Sequence, residues 1–397
     1  MTNHLPPRVS FPTDRLIGRD CPACGADTLR SFYAVRGIPV QSNLLVTTAD
    51  EAENFPAGDV VLAQCETCAF ITNTAFDESR LMMSTAYEAS QACSPTFGGF
   101  ARKLAAEWIE RFNLRGKTLI EIGCGQGEFL ELICEMAGAR GIGFDPVVRR
   151  EKGRGDVLFV AAPFEDFAGR VQGDFIYCRH TLEHIAEPLQ FLRLLRPAAD
   201  RMPVVFEVPD TLRVLNEGAF WDIYYEHNSY FTTSSLVRAF QRAEFEVVRT
   251  QLLFDNQYLV LEATAEPHGG QKRDMPALTE LRSASTYIRI ATARMNKWVT
   301  FAGEARLNKK TCVVWGSGSK AVGFLTTLGI DDAFACVVDI NPAKQGSYLP
   351  GTRLKIEPPS VLTKLRPDAV VVMNPIYVDE IKRDLAAMGL TPNVVSL

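Results

Sequence analysis

The stretch Leu119-Ile-Glu-Ile-Gly-Cys-Gly-Gln-Gly127 decides the fold. It begins as a short apolar strand, passes directly into glycines, and is followed by a helical apolar pattern over Glu128–Met136. Gly123 and Gly125 allow the backbone of such a strand–loop–helix turn to approach a ligand closely. Asp145 ends the next predicted strand, about 20 residues on, where a carboxylate can accept hydrogen bonds from two ribose hydroxyls. The pattern therefore predicts a nucleoside-type ligand across the ends of two strands.

Strand and helix patterns alternate on both sides of this loop. Upstream, large apolar residues recur every four positions from Phe100 to Phe112, which predicts an amphipathic helix. Downstream, short apolar strands alternate with helical patterns, and EFEVVRT and NQYLVLEATA predict a closing antiparallel pair. Such alternation predicts an α/β fold with a doubly wound parallel sheet and helices on both faces. We place this central domain at residues 86–268.

Acidic residues beside the glycines indicate the charge of the ligand. The glycines are spaced G-x-G-x-G, whereas a dinucleotide fingerprint has G-x-G-x-x-G and sets a pyrophosphate on the helix N-terminus. Glu121 and Glu128 would oppose a pyrophosphate, but not a cationic sulfonium amino acid with its ammonium group.

The loop resembles motif I of class I S-adenosylmethionine methyltransferases. Asp145 matches that family's acidic residue, and Phe164 in PFEDF matches its adenine-contact segment. The resemblance implies S-adenosylmethionine as the cofactor. NAD, or a glycine turn without a ligand, stays the alternative.

Two CxxC pairs precede the central domain. They consist of Cys21, Cys24, Cys65 and Cys68. Each pair places two thiolates on one tight turn, so two pairs together complete a tetrahedral zinc shell. A redox dithiol is the alternative, but Pro22 fits poorly with a redox motif. Four cysteine ligands leave no open position, so we expect a structural zinc in an N-terminal domain of residues 1–85.

A second strand–loop–helix pattern lies near the C-terminus. A long helical stretch over residues 276–310 leads into an apolar strand and the loop Gly316-Ser-Gly-Ser-Lys320, and Asp339 ends the next strand. This pattern predicts a smaller, Rossmann-like doubly wound domain, and with the long helix it makes up residues 269–397. We expect Lys320 to be a solvated lysine, with contact to a phosphate as the alternative.

Three of the five histidines follow predicted strands of the central sheet. His180 and His184 come after the fourth strand, in CRHTLEHI, and His227 comes after the fifth, in DIYYEHNSYF. The carboxyl ends of parallel strands face one crevice in doubly wound folds. A segment so rich in Tyr, Glu and His is suited to proton transfer. We expect His227, held by Glu226, to be the base, with the other two histidines nearby; structural roles for those two and core packing of the tyrosines are the alternatives.

The order of these parts resembles one family along nearly the whole chain. Four N-terminal cysteines, a class I methyltransferase core, a Tyr-x-Glu-His segment and a C-terminal G-x-G-x-K domain occur together in the sugar C-methyltransferases of deoxysugar pathways. The resemblance implies a nucleotide-linked keto sugar as the acceptor. A base would remove the proton beside the ketone, and the enolate carbon would take the methyl group.

The same resemblance implies roles for individual residues. It places the family's Tyr-x-Glu-His on Tyr224, Glu226 and His227, its further histidine on His184, and a tyrosine that closes over the cofactor on Tyr87. It also implies that the C-terminal domain binds no cofactor and covers the acceptor cleft, with a nucleotide site there as the alternative.

Two parts of the chain depart from that family. LLFDNQYLVLEA stands where the sugar enzymes tend to have a glycine-rich, sugar-contacting stretch, and the region between the cysteine pairs is also different. An O- or N-methyltransferase with the same cofactor site and the same base is therefore the first alternative. A non-enzymatic binding module, in which the zinc region recruits a partner, is the second.

Composition excludes several other functions. The 397 residues carry a net charge of −5, which provides no basic field for nucleic acid. No apolar run reaches the roughly 18 residues of a membrane helix, and the first residues have no apolar signal segment. We expect a cytoplasmic protein that binds neither nucleic acid nor membrane, and we favour a monomer.

Overall fold

The computed structural model describes residues 6–12, 15–82, 84–200, 202–265 and 283–397. Within these ranges the chain forms three β-sheets, and none of the helices is both long and apolar enough to cross a membrane. The predicted domain boundary at residues 268 and 269 and the first part of the predicted helical stretch 276–310 lie outside the described residues.

The first sheet carries the four cysteines. Its elements are β1 (Val9–Ser10), β2 (Arg15–Leu16), β3 (Leu29–Pro39), α1 (Ala49–Glu53), β4 (Ala57–Cys65), β5 (Ile71–Asn73) and β11 (Ser229–Tyr230). All its pairings are antiparallel, in the order β1-β3-β4-β5-β11, and β2 also pairs with β3. The last strand comes from the predicted central domain, since Ser229 pairs with Thr72 and Tyr230 with Ile71. The segment just after His227 therefore completes the N-terminal sheet.

The second sheet is the predicted central one. Its strands are β6 (Thr118–Ile122), β7 (Arg140–Phe144), β8 (Val157–Val160), β9 (Phe175–Arg179), β10 (Val204–Pro209), β12 (Glu246–Leu253) and β13 (Tyr258–Thr264). The helices around it are α2 (Pro95–Phe112), α3 (Glu128–Ala137), α4 (Pro188–Ala198), α5 (Thr211–Glu217) and α6 (Thr233–Arg242). The order is β12-β13-β10-β9-β6-β7-β8, with β6 to β10 parallel and the last two strands antiparallel, as predicted. The chain runs outward from β6 to β8 and returns at β9, so a topological switch point lies between β6 and β9.

Helix α2, which precedes this sheet, has the capping residues and the buried face of an amphipathic helix. The side chain of Ser94 accepts a hydrogen bond from the amide of Phe97, Pro95 follows at a first-turn position, and Asn113 ends the helix in the left-handed region. Leu104 and Trp108 are buried one turn apart on the inner face. The predicted amphipathic helix is therefore confirmed.

The third sheet is the predicted smaller doubly wound unit. Its elements are α7 (Ser283–Leu307), β14 (Cys312–Trp315), α8 (Ser319–Leu328), β15 (Val337–Val338), β16 (Ile356–Glu357), α9 (Leu362–Leu365), β17 (Ala369–Val372), α10 (Val378–Ala387) and β18 (Asn393–Ser396). The strands are all parallel in the order β16-β15-β14-β17-β18, so the predicted Rossmann-like arrangement is confirmed.

A shared apolar core joins the first and third sheets. Tyr33 of β3 packs edge-on against Tyr287 of α7, with ring centroids 5.5 Å apart. At Gly323 of α8 a Cβ atom would lie 2.8 Å from the carbonyl oxygen of Trp221, so glycine is needed for this close approach. Trp221 belongs to the segment between β10 and β11 that leads to His227. This segment is thus packed where all three sheets meet.

Candidate active site

The glycine loop after β6 has the backbone geometry of a ligand-binding turn. Gly123, Gly125 and Gly127 have φ angles of 69°, 56° and 85°, a region that favours glycine. A Cβ at Gly123 would lie 1.9 Å from Oγ1 of Thr181, and one at Gly127 would lie 2.2 Å from the ring of Phe159. A Cβ at Gly125 would meet nothing within 4 Å. Two glycines therefore let the loop pack against the sheet, and the third faces open space.

Asp145 lies beside this loop, at the end of β7. One carboxylate oxygen accepts a hydrogen bond from the Gly125 amide at 2.8 Å, and the other accepts one from the Val147 amide at 2.9 Å. Burial raises the pKa of this carboxyl. A carboxylate has lone pairs for about four hydrogen bonds, so two stay available for ribose hydroxyls.

Glu121 lies on β6 beneath the glycines. Its side chain is buried and accepts a hydrogen bond from the Tyr177 hydroxyl at 3.2 Å. Burial raises the pKa of Glu121 to about 8. A cation bound next to this carboxyl would favour its ionised form, which fits the predicted contact with an ammonium group.

Phe164 and Tyr87 were predicted to contact the cofactor, and the structure shows what each of them contacts in the protein. Phe164 is only 2% exposed, and its ring packs edge-on against Phe144 at 5.5 Å. The described structure thus places Phe164 in the apolar core. The Tyr87 hydroxyl donates to a carboxylate oxygen of Glu226 at 3.1 Å, so this tyrosine contacts the predicted catalytic segment.

We expect Gly123→Ala to weaken the binding of S-adenosylmethionine at least about tenfold, a change of about 1.4 kcal/mol. The added Cβ displaces Thr181, and the left-handed backbone adds strain of about 1–2 kcal/mol. Isothermal titration calorimetry measures the affinity. Gly98→Ala is the matched control, because Gly98 lies in α2 and a Cβ atom there would meet nothing within 4 Å. Unchanged affinity in Gly123→Ala would contradict the proposed role of the loop.

The histidines follow the strand ends as predicted, and they differ in charge. His180 has a φ angle of 51°, with Nε2 2.9 Å from Glu207 and Nδ1 3.5 Å from Glu183. Burial lowers the pKa of His180, but these two nearby carboxylates outweigh burial and raise the pKa to about 9. His180 is therefore a cation at neutral pH, suited to stabilising negative charge rather than to accepting a proton.

His184 and His227 lie together, with ring centroids 4.7 Å apart and their planes at 89°. Nδ1 of His184 is 2.9 Å from the carbonyl oxygen of Glu226, so Nδ1 carries the proton and leaves Nε2 as an acceptor in the neutral ring. His227 is buried, and burial holds the pKa of its imidazole well below the usual range. The Tyr224 ring lies 4.3 Å from the His227 ring. A neutral, buried imidazole is the form that can accept a proton.

The structure corrects the predicted partner of His227. The carboxylate of Glu226 accepts hydrogen bonds from the amide and hydroxyl of Ser42 at 3.1 and 2.6 Å and from the Tyr87 hydroxyl. Glu226 therefore contacts the N-terminal part of the chain through its side chain and His184 through its carbonyl group. Ser42 was not predicted as a site residue, because the residues around it carry no local signal for this contact.

Glu183 is the carboxylate beside the two histidines. A carboxylate oxygen of Glu183 and one ring nitrogen each of His184 and His227 lie within 4.8 Å of one another. Glu183 is 2% exposed, and both its carboxylate oxygens lack a hydrogen-bond partner among the described residues. Glu183 was not predicted as a site residue, although it directly precedes His184.

The four cysteines form one cluster, with Cys24 partly exposed and the others buried. The sulfur of Cys21 lies 3.7 Å from that of Cys68, and the sulfur of Cys24 lies 3.6 Å from that of Cys65. Zn–S bonds of about 2.3 Å in a tetrahedron separate the sulfur atoms by about 3.8 Å. These spacings join one CxxC pair to the other, so the donor set fits zinc.

The C-terminal glycine loop is closed by its own side chains. The amide and hydroxyl of Ser317 donate to one oxygen of Asp339 at 2.8 and 2.6 Å, and the Asn341 amide donates to the other at 2.8 Å. Asp339 thus corresponds in position to Asp145 of the central sheet, but its carboxylate already accepts a hydrogen bond from the hydroxyl of Ser317. The expectation that this domain binds no nucleotide stays a prediction.

Lys320 is not the solvated lysine that the sequence suggested. Its side chain is 22% exposed and forms an ion pair with Asp222, which also lies 2.5 Å from Arg213. Burial lowers the pKa of Lys320, although the Asp222 charge acts in the opposite direction. The ion pair joins helix α8 to the segment that leads to His227.

Comparisons with known proteins agree with this arrangement. A family model described as a methyltransferase domain matches residues 97–250, and one described as the C-methyltransferase C-terminal domain matches residues 272–391. The C-methyltransferase NovU of Streptomyces niveus is 28% identical over 393 residues, which cover 91% of each chain.

Two solved structures show weaker likeness. A putative O-methyltransferase of Nostoc punctiforme has a TM-score of 0.36 at 18% identity, over 44% of this chain and 58% of its own. The 1,6-didemethyltoxoflavin-N1-methyltransferase of Burkholderia thailandensis has a TM-score of 0.34 at 19% identity, over 43% of this chain and 80% of its own.

The two family matches lie in chain order on the second and third sheets, behind the cysteine cluster. The central sheet, parallel except for its closing antiparallel pair, and the glycine loop after its first strand agree with the predicted class I methyltransferase core. The chain is therefore an S-adenosylmethionine-dependent methyltransferase, in which the C-terminal domain of C-methyltransferases follows the methyltransferase domain.

Proposed function

We propose that this methyltransferase methylates a carbon atom beside the ketone of a nucleotide-linked keto sugar. The match to the C-methyltransferase C-terminal domain and the similarity to NovU along 91% of the chain support carbon as the acceptor atom. The observation that carries the proposal is the buried, neutral His227 next to His184 at the ends of the central strands.

Proton removal is the step for which the chain's own residues are suited. A proton beside a ketone is weakly acidic, so its removal needs a base positioned close to it. We assign this task to His227, with His184 at 4.7 Å as the neighbouring imidazole. General base catalysis of this kind contributes roughly 10²–10⁴-fold to the rate.

The negative charge that forms on the ketone oxygen needs a donor. The cationic His180 and the Tyr224 hydroxyl are the groups that we assign to this role. Donors held in place before the reaction stabilise such charge without reorganisation. Glu226, held by Ser42 and Tyr87, positions His184 through its carbonyl group.

We further propose how the chain holds its cofactor and metal. Gly123, Gly125 and the carboxylates of Glu121 and Asp145 hold S-adenosylmethionine, which supplies an electrophilic methyl group when bound. Tyr87 covers the site from the N-terminal side. The four cysteines hold a structural zinc, because their sulfur spacings leave a closed tetrahedral shell.

Transfer from S-adenosylmethionine labelled with carbon-13 in the methyl group tests the function directly. We incubate the protein with a panel of nucleotide-linked keto sugars and expect NMR to show the label in a carbon-bound methyl group. A label on oxygen or nitrogen would keep the methyltransferase assignment and overturn the enolate route.

Proton exchange gives an independent readout of the same proposal. In deuterated water, without methyl transfer, we expect the enzyme to exchange the proton on the acceptor carbon, because only carbon methylation requires its removal. A protein that methylates its acceptor but never exchanges this proton would contradict the proposal.

A further inference from the structure

Glu183 lies at the centre of the histidine cluster. One of its carboxylate oxygens is within 4.8 Å of a ring nitrogen of His184 and of one of His227. The other histidine of the cluster, His180, approaches the same carboxylate to 3.5 Å. Whichever of the His184 and His227 rings takes the acceptor's proton, the resulting imidazolium forms next to Glu183.

The burial of Glu183 is unusual for a carboxylate. The residue is 2% exposed, and neither oxygen has a hydrogen-bond partner among the described residues. A buried polar group without a partner is disfavoured by about 1–3 kcal/mol, and more when it is charged. A nearby imidazole that gains a proton would donate a hydrogen bond to Glu183 and so satisfy one of its oxygens.

The other carboxylates around the histidines already have partners. Glu207 accepts two hydrogen bonds from Arg179, at 3.0 and 2.8 Å. Glu226 accepts hydrogen bonds from Ser42 and Tyr87. Among the described acidic residues at this site, Glu183 is thus the one of which neither side-chain oxygen accepts a hydrogen bond, although it forms an ion pair with His180 at 3.5 Å.

We propose that Glu183 is the counter-ion of the imidazolium that forms when the base takes the acceptor's proton, and that it acts as a positioning residue for that base. The proton passes from the acceptor carbon to a ring nitrogen, the electron pair of the C–H bond stays on the enolate, and no proton moves to or from the carboxylate. This inference rests on the proposed function, because it needs a histidine that gains a proton.

Glu183→Gln tests the charge with little change of shape. The uncharged amide stabilises the imidazolium less, so we expect kcat to fall by roughly 10²-fold, at the low end of what a general base contributes. The KM for the acceptor should stay near that of the wild type. Glu183→Asp keeps the charge and should restore part of kcat. Glu187→Gln is the matched control, because its carboxylate is 55% exposed at the start of α4.

The pH profile separates this role from a purely structural one. A carboxylate next to an imidazole raises the pKa of the imidazole, so its removal lowers that pKa. The acid limb of kcat/KM should therefore move to lower pH in Glu183→Gln, by roughly one unit or more. The Glu183→Gln substitution leaves the other ionisable groups near Glu183 and His227 unchanged. These groups are His180, His184, Lys320, Tyr87, Tyr224 and Cys178.

The outcomes distinguish this inference from the proposed function. If the wild type exchanges the acceptor proton in deuterated water and folded Glu183→Gln exchanges it as fast with an unmoved acid limb, only this inference fails. If the wild type does not exchange that proton, the proposed function fails first. Activity that a chelator abolishes and a divalent cation restores, with the cysteine cluster still loaded, would make Glu183 a metal ligand and overturn the counter-ion role. Thermal melting confirms that each variant is folded.

Discussion

Replacing His227 with asparagine lowers kcat by roughly 10²–10⁴-fold, the full contribution expected of a general base. His227 is buried and neutral, and its ring contacts both His184 and Tyr224. Asparagine keeps a polar group in this space but cannot accept a proton near neutral pH. Steady-state turnover with labelled S-adenosylmethionine measures the loss.

The binding of the cofactor separates a lost base from a lost fold. His227→Asn should bind S-adenosylmethionine as the wild type does, because the glycine loop follows a different strand. It should also stop exchanging the acceptor proton in deuterated water. Turnover at the wild-type rate would remove His227 from the role of base and leave His184 as the candidate.

Tyr225→Phe is the matched control for this experiment. Tyr225 precedes Glu226 in the same segment, but its hydroxyl bonds to the backbone amide and carbonyl of Asp77. Its loss should lower the stability by about 0.5–1.5 kcal/mol and leave kcat nearly unchanged. A fall in kcat as large as that of His227→Asn would show that any disturbance of the segment abolishes activity.

Removing the metal abolishes methyl transfer without removing the cofactor site. Structural zinc sites contribute binding free energies of about 10–16 kcal/mol in small zinc-finger peptides, and this energy stabilises the fold. We expect Cys68→Ser to lose zinc, to melt at a lower temperature and to lose nearly all turnover. The reason is that β5 lies only a few residues beyond the cysteines and pairs with β11, which follows His227.

The measurements for this prediction are zinc content, thermal melting, turnover and cofactor affinity. Cys93→Ser is the matched control, because Cys93 is exposed and lies outside the cluster. If Cys68→Ser lost all its zinc but kept normal turnover, the proposed link between the zinc site and the segment around His227 would be contradicted. Loss of S-adenosylmethionine binding while the N-terminal sheet stays folded would contradict the structural role of the zinc.

The central sheet was predictable because its signals are local. A strand, its glycine turn and the next helix are adjacent in sequence, and so are the two residues of each CxxC pair. The positions of the histidines followed from the rule that parallel strands direct their carboxyl ends to one edge. The predicted loop residues Gly123, Gly125 and Asp145 therefore lie together as expected.

The contacts that were missed are long-range or depend on side-chain direction. Ser42 and Glu226 are 184 residues apart, and no periodic pattern connects them. The pairing of β5 with β11 involves two residues of each strand, which is too short for a strand signal. The environments of Phe164 and Lys320 were predicted from local sequence alone. In the structure, Phe164 packs in the core, and Lys320 forms an ion pair with Asp222.

The segment from Trp221 to Tyr230 also bears on how this enzyme can be engineered. At its start, Trp221 packs against Gly323 in helix α8 of the C-terminal unit. In its middle, the carbonyl group of Glu226 accepts a hydrogen bond from His184 of the central unit. At its end, β11 pairs with β5 of the N-terminal sheet. A chimera that exchanges only one of the three units between relatives would pair this segment with foreign surfaces on at least one side. A change of acceptor should therefore be sought by transferring this segment together with the surfaces of all three units that contact it. The central unit alone should bind the cofactor but show no turnover.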